Sequence, residues 1–396
     1  MRDPLRVLTF STLFPNSIRP HHGIFVEQRL RHLLASGEVD VRVVAPVPWF
    51  PSSHPRFGSY ADFSRIPAEE TLDGLPRLHP RYPLIPKVGM RVAPLLLAAT
   101  MEPVIRRILR EGWDFDLIDA HYLYPDGVAA VMLAKRFGKP VVMTARGSDV
   151  TEIPNFTLPR RMIRWAVQKS DGVITVCQAL KDALIELDLP PDKITPLRNG
   201  VDLERFHPVD RATMRRELGM TDGRIVLLSV GHLIDRKGHD LIIRALPKLP
   251  NHVELWIIGD GPRREALEAL AIELNMMDRV RFVGLVPQKK LKAFYGSVDA
   301  LVLASSREGW ANVLLEAMAC DTPVIASNVW GAPEIVTAPE AGQLMPERSP
   351  EGIVAAFDAL FRDRPQAGKT RRYAEGFSWE ATTRGQLGLF RGIIGK

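Results

Sequence analysis

The chain has 396 residues, 46% of them hydrophobic and 25% charged, and its mean hydropathy is −0.04. These values exclude a disulfide-stapled miniprotein, a disordered acidic tail and a polytopic membrane protein, and the length suggests two or three domains. The net charge is +6. Up to Gly200 there are 26 basic and 21 acidic residues, and beyond it 26 and 25. The basic excess therefore lies in the first half, where it suits nucleic acid, an anionic membrane surface or a phosphorylated substrate.

Cys177 and Cys320 lie in apolar stretches. This predicts two small core residues in a reducing compartment, not a disulfide or a metal pair. The first residues lead directly into a strand-like run, so we expect no targeting signal. The longest apolar runs, such as residues 92–101, are half the ~20 residues that a membrane-spanning helix requires. The sequence predicts a cytoplasmic protein.

Short apolar runs alternate with helical patterns, which is typical of parallel sheets built from βαβ units. In the first half, strands are predicted at residues 5–10, 41–45, 117–120, 140–144, 172–176 and 194–197. Helices are predicted between them at residues 25–35, 125–137, 158–169 and 178–188. The proline-rich region 46–86 is expected to leave the sheet and to carry substrate contacts.

The alternation restarts in the second half. Strands are predicted at residues 225–230, 253–258, 280–283, 300–303 and 324–326, and helices at 240–246, 264–275, 289–296 and 312–319. The predicted division is a first domain at 1–205, a linker at 206–222, a second domain at 223–372 and a C-terminal helix at 373–396. For this helix, a return to the first domain is one of two alternatives, since it could pack against either domain. Doubly wound sheets bind ligands beyond the carboxyl ends of their strands, so we search the loops that follow the strands.

Two glutamates flank a helix start that follows the strand at 300–303. Unsatisfied N–H groups near Trp310 to Asn312 are expected to favour a phosphate there. Glu308 and Glu316, in a Glu-x7-Glu spacing, would accept hydrogen bonds from neutral hydroxyls on either side, as a nucleotide sugar offers. The structural alternative is a helix cap at Glu308 and a salt bridge at Glu316.

Two further segments lie at loops. Residues 231–238, in the first loop of the second domain, bring Arg236 and Lys237 to a glycine-bordered turn, where Lys237 is a candidate for neutralising a diphosphate. Residues 199–208 are predicted to be a hinge, with a positive φ at Gly200 and a capping Asp202.

Seven motifs follow one another in a fixed order, at residues 199–208, 231–238, 259–262, 280–284, 308–324, 331–335 and 377–379. Their order and spacing resemble the family 4 glycosyltransferases of the GT-B fold over nearly the whole chain, most closely from 199 to 336. The resemblance implies an α/β fold of GT-B type, with two doubly wound Rossmann-like domains facing across a cleft. It also implies a hexosyltransferase-type enzyme that takes a sugar from a nucleotide-diphosphate sugar.

In such enzymes the sugar is transferred with retention of configuration and without a metal ion, to a glycan or a lipid-linked saccharide in polysaccharide biosynthesis. The resemblance assigns Glu308 to the hydroxyls of the donor sugar, Glu316 to the ribose and Lys237 to the diphosphate. It also implies that the diphosphate is bound by backbone amides near Gly309, Trp310, Ala311 and Asn312. The loop with Val283 and Val286 would border the base. Neither a metal nor another cofactor is expected.

The first domain resembles the family more loosely. Gly23 falls in the first loop, where a glycine lets the backbone approach a phosphate or the acceptor. His121 resembles the family's histidine near the donor sugar, and a hydrogen-bonded structural histidine is the alternative. Asp149, in Gly147-Ser148-Asp149, resembles the His-Gly-x-Asp turn of these enzymes.

The chain departs from the family pattern at four positions. His232 stands where an arginine usually binds phosphate, so that role passes to His232 itself or to Arg236. Arg146 replaces the usual histidine, which either favours an anionic acceptor or serves packing. Asp321 and Trp330 stand where glycines are common.

Other functions are weighed against glycosyl transfer. A nucleotide-sugar 2-epimerase shares the fold, whereas an NAD-dependent oxidoreductase is disfavoured because the first strand is not followed by Gly-x-Gly-x-x-Gly. No helix–turn–helix, zinc or stacking pattern supports a nucleic-acid partner. A peripheral contact with an anionic membrane is a further hypothesis, based on an apolar run at 92–99 that is surrounded by Lys87, Arg91, Arg106, Arg107 and Arg110.

Overall fold

Parallel β-sheets form the core of both halves of the chain in the structure, a computed structural model that describes residues 3–84 and 89–395. The chain divides into two units, Met1–Arg198 with Glu380–Lys396, and Asn199–Trp379. The first unit ends before the predicted boundary at residue 205, and the end of the chain belongs to it.

The strands of the first unit are β1 (Leu5–Phe10), β2 (Val39–Val44), β3 (Val47–Trp49), β4 (Glu69–Leu72), β5 (Leu75–Leu78), β6 (Arg81–Pro83), β7 (Leu117–His121), β8 (Val141–Ala145), β9 (Gly172–Thr175) and β10 (Ile194–Pro196). The main sheet has the order β10-β9-β8-β7-β1-β2-β5-β4, and β3 pairs with β6. Strands β7, β8 and β9 are buried along their whole length, as expected for a parallel sheet covered on both faces.

The helices of this unit are α1 (Ile24–Ala35), α2 (Ser59–Arg65), α3 (Gly89–Arg110), α4 (Val128–Phe137), α5 (Ser148–Thr151), α6 (Thr157–Lys169) and α7 (Gln178–Glu186). The second unit contains α8 (Arg211–Leu218), α9 (His239–Ala245), α10 (Arg264–Glu273), α11 (Gln288–Tyr295), α12 (Asn312–Ala319), α13 (Ala332–Ile335), α14 (Pro350–Arg362) and α15 (Lys369–Glu375), and α16 (Trp379–Ile394) follows.

The second sheet has the order β13-β12-β11-β14-β15-β16 with parallel pairing throughout the pairs described. Its strands are β11 (Ile225–Val230), β12 (Val253–Ile258), β13 (Val280–Gly284), β14 (Ala300–Leu303), β15 (Val324–Ser327) and β16 (Gly342–Met345). Strands β11, β12 and β14 coincide with their predictions, whereas β16 and α14 were not predicted. The two parallel sheets confirm the predicted α/β class.

Region 46–86 leaves the main sheet only in part, which corrects the prediction. Strand β5 continues the sheet beside β2, and β4 pairs antiparallel with β5. The strand pattern of β5 is hidden by Arg77, which is buried and whose Nη2 donates to Glu27 of α1 at 2.7 Å. A buried, paired arginine thus occupies a position that binary patterning assigns to solvent.

Helix α3 packs one face against the protein, and only part of the apolar run at 92–99 that the membrane hypothesis used lies on that face. Leu97, Met101 and Ile105 on it are fully buried. Arg106 pairs with Glu102, and Arg107 pairs with acidic residues on two sides. Lys87 lies outside the described residues. Among residues 3–84 and 89–395, no helix combines the length and apolar character that a membrane span requires.

Residues 206–222 do not form a linker, which is a second correction. They belong to the second unit and contain α8, where Asp210 caps the first turn by accepting the N–H of Thr213 at 3.3 Å. Arg211 and Arg215 of α8 lie 2.8 and 3.4 Å from Asp299, directly before β14. These ion pairs fasten the segment to the second sheet.

The predicted helix at 373–394 is two helices, α15 and α16, because Gly376 and its neighbours interrupt it. Residues Glu380–Lys396 join the first unit, where Leu387 and Phe390 share a hydrophobic cluster with Leu5, Val7 and Leu117. The positive φ predicted at Gly200 is wrong. A side chain there would place its Cβ 2.4 Å from the backbone nitrogen of Trp379, so close approach and not backbone conformation requires this glycine.

The prediction of two small core residues is confirmed, since both cysteines are buried. Cys177 packs directly before α7 and Cys320 directly after α12.

Candidate active site

Glu308 lies in the loop between β14 and α12 and is the centre of a small charged cluster. Its Oε1 accepts hydrogen bonds from Ser305 Oγ and from Lys237 Nζ, both at 2.6 Å. Its Oε2 lies 3.8 Å from Arg236 Nη1. The structure thus brings together three predicted site residues, two cations and one carboxylate, and leaves one positive charge in excess.

The turn that carries Lys237 depends on Gly238. This glycine has φ 68°, and a Cβ on it would lie 2.2 Å from the carbonyl oxygen of Ala304 at the end of β14. Only glycine therefore lets the turn after β11 press against the neighbouring strand end. That close approach places Lys237 beside Glu308.

The environment of Glu308 keeps its carboxylate charged. Burial raises its pKa, but the charge and hydrogen bond of Lys237, with the hydroxyl of Ser305, outweigh burial and leave the pKa below its usual value. An ionised carboxylate only accepts hydrogen bonds, so it suits sugar hydroxyls and repels phosphate. Lys237 and Arg236 suit the phosphates.

Glu316 lies in the second turn of α12 and has a different environment. Its Oε2 accepts the hydroxyl of Tyr295 at 2.9 Å. Burial raises the pKa of Glu316 to about 6. This environment differs from the salt-bridge alternative, because Glu316 is buried, with 8% of the residue exposed, and it bonds a neutral phenol.

The start of α12 offers fewer amides than predicted. The N–H of Asn312 donates to the carbonyl of Trp310 at 3.1 Å around Ala311, which has the φ of −86° and ψ of 81° typical of an inverse γ-turn. The side chains of Trp310 and Ala311 are buried. Of the four backbone amides predicted to contact the diphosphate, that of Asn312 is therefore already used within this turn.

Three glycines hold the loop after β11 against the loop after β12. A Cβ on Gly259 would lie 1.9 Å from Gly231 O, and one on Gly261 would lie 2.6 Å from Leu233 O. His232 is exposed, and its Nδ1 donates to the carbonyl of Asp260 at 2.6 Å. Because that donor is already used, the arrangement favours Arg236 for the phosphate-binding role.

The loop predicted to border the base is half-buried at Val283 and Val286. Between them, Leu285 is 69% exposed, a large apolar side chain in water. Sequence reasoning did not single out Leu285. A contact of these residues with a base stays a prediction.

In the first unit, His121 ends β7 inside a buried polar network. Its Nδ1 accepts from Arg146 Nη2 at 2.8 Å, and its Nε2 lies 3.3 Å from Asp119 Oδ2. Gln386 of α16 donates to the same carboxylate at 3.0 Å, and Arg29 donates to Gln386 at 2.8 Å. Burial lowers the pKa of His121, so the ring is neutral with its proton on Nε2. Both ring nitrogens are used, which favours the structural alternative for His121.

Two other predicted residues of this unit have scaffold roles. Asp149 is fully buried, and it accepts the N–H groups of Arg146, Gly147 and Leu123 at 2.7 to 3.0 Å. It therefore holds the turn after β8. Gly23 has φ 69°, and a Cβ on it would lie 2.3 Å from Leu13, so the fold of its own loop requires glycine there.

Two family models match the chain, one described as "Glycosyl transferases group 1" over residues 210–377 and one as "Glycosyltransferase Family 4" over residues 23–205. D-inositol 3-phosphate glycosyltransferase of Frankia alni is 33% identical over 306 residues, which cover 70% of this chain and 74% of that protein. The chain is a family 4 glycosyltransferase.

Solved structures place this family 4 glycosyltransferase in the GT-B fold. Sucrose-phosphate synthase of Thermosynechococcus elongatus matches with a TM-score of 0.80 at 21% identity, over 100% of both chains. Anabaena HepE, in complex with UDP-glucose, matches with a TM-score of 0.71 at 18% identity, over 97% of this chain and 98% of that one. These comparisons confirm the predicted family, fold and enzyme class, and they give no support to the epimerase or the oxidoreductase.

Two departures of this glycosyltransferase from the family pattern have a backbone explanation. Asp321 and Trp330 have φ of 64° and 49°, the left-handed region in which glycine is ordinarily found. The Asp321 carboxylate compensates by accepting the N–H groups of Gly368 at 2.7 Å and Arg371 at 3.0 Å. The local turns are therefore preserved.

In each unit, sequence reasoning missed the side chains that surround the predicted residues. Ser305 and Tyr295 bond the two glutamates, and Asp119, Arg29 and Gln386 surround His121. The first two lie in segments that pattern alone assigns to core, and no spacing links the last three. Among residues 3–84 and 89–395, no three His, Cys, Asp or Glu side chains are grouped as metal ligands.

Proposed function

We propose that the second unit binds a nucleotide-diphosphate sugar, and that the enzyme transfers the sugar to an acceptor hydroxyl with retention of configuration and without a metal ion. The observation that carries the proposal is the contact of Lys237 Nζ with Glu308 Oε1 at 2.6 Å. It places a cation for the diphosphate beside a charged acceptor for the sugar hydroxyls.

Each residue of this cluster has a distinct task in the transfer. As the bond between the anomeric carbon and the diphosphate oxygen breaks, negative charge grows on the leaving phosphate, and Lys237 and Arg236 stabilise it. Glu308 orients the sugar through its hydroxyls, and Glu316 accepts from the ribose. The acceptor oxygen bonds to the anomeric carbon, and its proton leaves with the diphosphate. The acceptor is a glycan or a lipid-linked saccharide.

The test is a set of incubations with UDP-, GDP-, ADP- and dTDP-sugars, each with and without an acceptor panel, followed by proton NMR. We expect one donor to be consumed in the presence of acceptor, with an anomeric coupling in the product that matches the donor. An inverted product would contradict retention, and a new epimer formed without acceptor would contradict transfer. Added EDTA should leave the rate unchanged.

We also propose that the enzyme contacts an anionic membrane peripherally through the first turns of α3. Met90 and Leu95 are 46% and 49% exposed there, beside the exposed Arg91. Such apolar side chains next to a cation suit the headgroup region of an anionic leaflet. Flotation with phosphatidylglycerol vesicles at low salt tests this, and the Met90→Ser/Leu95→Ser variant should float less. Failure of the wild type to float would contradict the contact.

A further inference from the structure

A cavity of about 220 Å³ lies in the first unit, where β1 and β2 end. One wall is polar and comes from the loop between β1 and α1, with Thr12, Asn16, Arg19 and His22. Largely apolar side chains of region 46–86, including Phe63 and Tyr82, form another part of the lining. No aspartate or glutamate is among the described residues that line it. The cavity thus has a cationic, hydrogen-bonding side and an apolar side.

The polar wall is held in place by the protein itself. Asn16 is buried, and its side-chain oxygen accepts the N–H groups of Ile18 at 3.2 Å and Arg19 at 2.8 Å. The N–H and the hydroxyl of Thr12 donate to Asp126 at 2.8 and 3.0 Å. A wall that is already ordered loses little conformational entropy when a ligand binds.

Arg19 is the unbalanced charge of this cavity. Its guanidinium lies 5.3 Å from the centre of the Phe63 ring, and among residues 3–84 and 89–395 it forms no ion pair with a carboxylate. Most other arginines of this unit near the sheet have an acidic or carbonyl partner, as Arg31 and Arg77 do. An arginine held over a ring without an acid attracts a carboxylate or a phosphate from solution.

His22 gives the polar wall an acceptor next to this cation. Its Nε2 lies 3.1 Å from the carbonyl of Thr12, and because a carbonyl only accepts, the proton is on Nε2. Burial and the charge of Arg19 lower the pKa of His22, which keeps the ring neutral. Nδ1 is then an acceptor for a ligand hydroxyl.

We propose that this cavity binds the acceptor, and that the sugar ring of the glycan or lipid-linked saccharide that enters it carries a carboxylate or phosphate group. Arg19 binds the anionic group, His22 accepts from a hydroxyl, and Phe63 and Tyr82 cover the apolar face of the ring. The inference rests on the proposed transfer for its functional meaning, and the binding site itself does not depend on it.

Binding is measured first, on the full chain without a donor. Isothermal titration with D-glucuronate and D-glucose, and with glucose 6-phosphate, compares matched anionic and neutral rings. We expect the anionic rings to bind at least about 10-fold more tightly than glucose, and Arg19→Gln to remove this preference. Octyl β-D-glucuronide tests whether the acceptor carries a lipid. Tighter binding than glucuronate indicates a lipid-linked acceptor, and equal binding a free one, and both support the site.

Arg56→Gln is the matched control. Arg56 also lies over a phenylalanine ring, Phe57, at 4.6 Å in the same region, but it does not line the cavity. We expect Arg56→Gln to keep the preference for anions and Arg19→Lys to retain part of it. Equal binding of glucose and glucuronate by the wild type, or an unchanged preference in a folded Arg19→Gln protein, would overturn the proposal.

Kinetics then separate this inference from the proposed function. With an active donor, Arg19→Gln should raise KM for the anionic acceptor about 10-fold and leave the donor KM unchanged. If no nucleotide sugar reacts but Arg19-dependent binding of glucuronate is present, the donor proposal fails and the cavity assignment holds. If transfer occurs and Arg19→Gln leaves the acceptor KM unchanged, the cavity assignment fails and the proposed function holds.

Discussion

The two units use charged side chains at strand ends in opposite ways. In the second unit, Lys237 and Glu308 lie in loops, with side chains 15% and 10% exposed. The Glu308 carboxylate balances only one of the two cations beside it, Lys237 and Arg236. In the first unit, His121 and Asp119 have side chains only 1% exposed, and Asp119 and Arg146 engage both ring nitrogens of His121. A position at the carboxyl end of a strand therefore does not by itself make a ligand contact. What decides is whether packing leaves a polar atom available.

The first test of this contrast is Lys237→Met, for which we expect the largest effect. Removal of the cation that stabilises the leaving diphosphate should lower kcat/KM for the donor about 100-fold. Lys248→Met is the control, because Lys248 pairs with Glu351 on the surface and is remote from the site. Steady-state kinetics on both variants measure the difference. Activity of Lys237→Met within about 3-fold of the wild type would contradict the assignment.

For His121 we expect an effect on stability. His121→Ala removes one buried hydrogen-bond partner from Arg146 and one from Asp119, and the free energy of unfolding should fall by about 3 kcal/mol. Urea denaturation measures it. His252 is exposed, and His252→Ala should change the free energy by less than about 0.5 kcal/mol. A His121→Ala protein that is as stable as the wild type but inactive would contradict the structural role and favour a contact of His121 with the donor sugar.

Glu316→Gln should impair donor binding and stabilise the fold. Loss of the charged acceptor for the ribose should raise the donor KM about 10-fold with a small change in kcat. Because burial raises the pKa of Glu316 from 4.5 to about 6, the charged carboxylate destabilises the folded protein above pH 6, and this cost disappears as the pH falls below the folded pKa.

The neutral glutamine avoids that cost, since Tyr295 still donates to its side-chain oxygen. We expect the variant to exceed the wild type by about 2 kcal/mol at pH 8 and to match it near pH 4.5. Thermal unfolding at the two pH values measures the difference. An equal gain at both values would show that the charge of Glu316 is not the cause.

The smallest expected effect distinguishes Arg236 from His232. Arg236→Gln removes a cation 3.8 Å from Glu308 and a bond to Arg307 O, and it should raise the donor KM about 5-fold. His232→Gln should change it by less than 2-fold, in line with the small effect of an exposed polar substitution. The reverse order would give the phosphate-binding role to His232.

The fold was predictable where a strand is buried on both faces, because such a strand requires a continuous apolar run. The apolar runs of β1, β11, β12 and β14 are buried along nearly their whole length, and their predicted bounds hold. Strand β5 escaped prediction because its Arg77 is neutralised by Glu27, which is 50 residues away in the chain. Helix α3 contains Pro94 and Pro103, which local rules treat as helix breakers.

The site was predictable residue by residue but not as a set of contacts. Glu308 and Lys237 each carried a motif, but they are 71 residues apart, and only the parallel order of β11 and β14 brings them together. The Asp119 carboxylate beside His121 also accepts a hydrogen bond from Gln386, which α16 contributes from the end of the chain. Partners that distant leave no trace in local spacing.

The binding of nucleoside diphosphates tests the central claim most directly, by thermal unfolding of the wild type, Lys237→Met and Lys248→Met with UDP, GDP, ADP and dTDP. At 100 times its Kd a nucleotide stabilises the folded state by about 2.7 kcal/mol. We expect one of the four to raise the Tm of the wild type and of Lys248→Met, and to lose most of this effect with Lys237→Met. If none of them raises the Tm, or if the shift is equal in all three proteins, the donor site proposed here is contradicted.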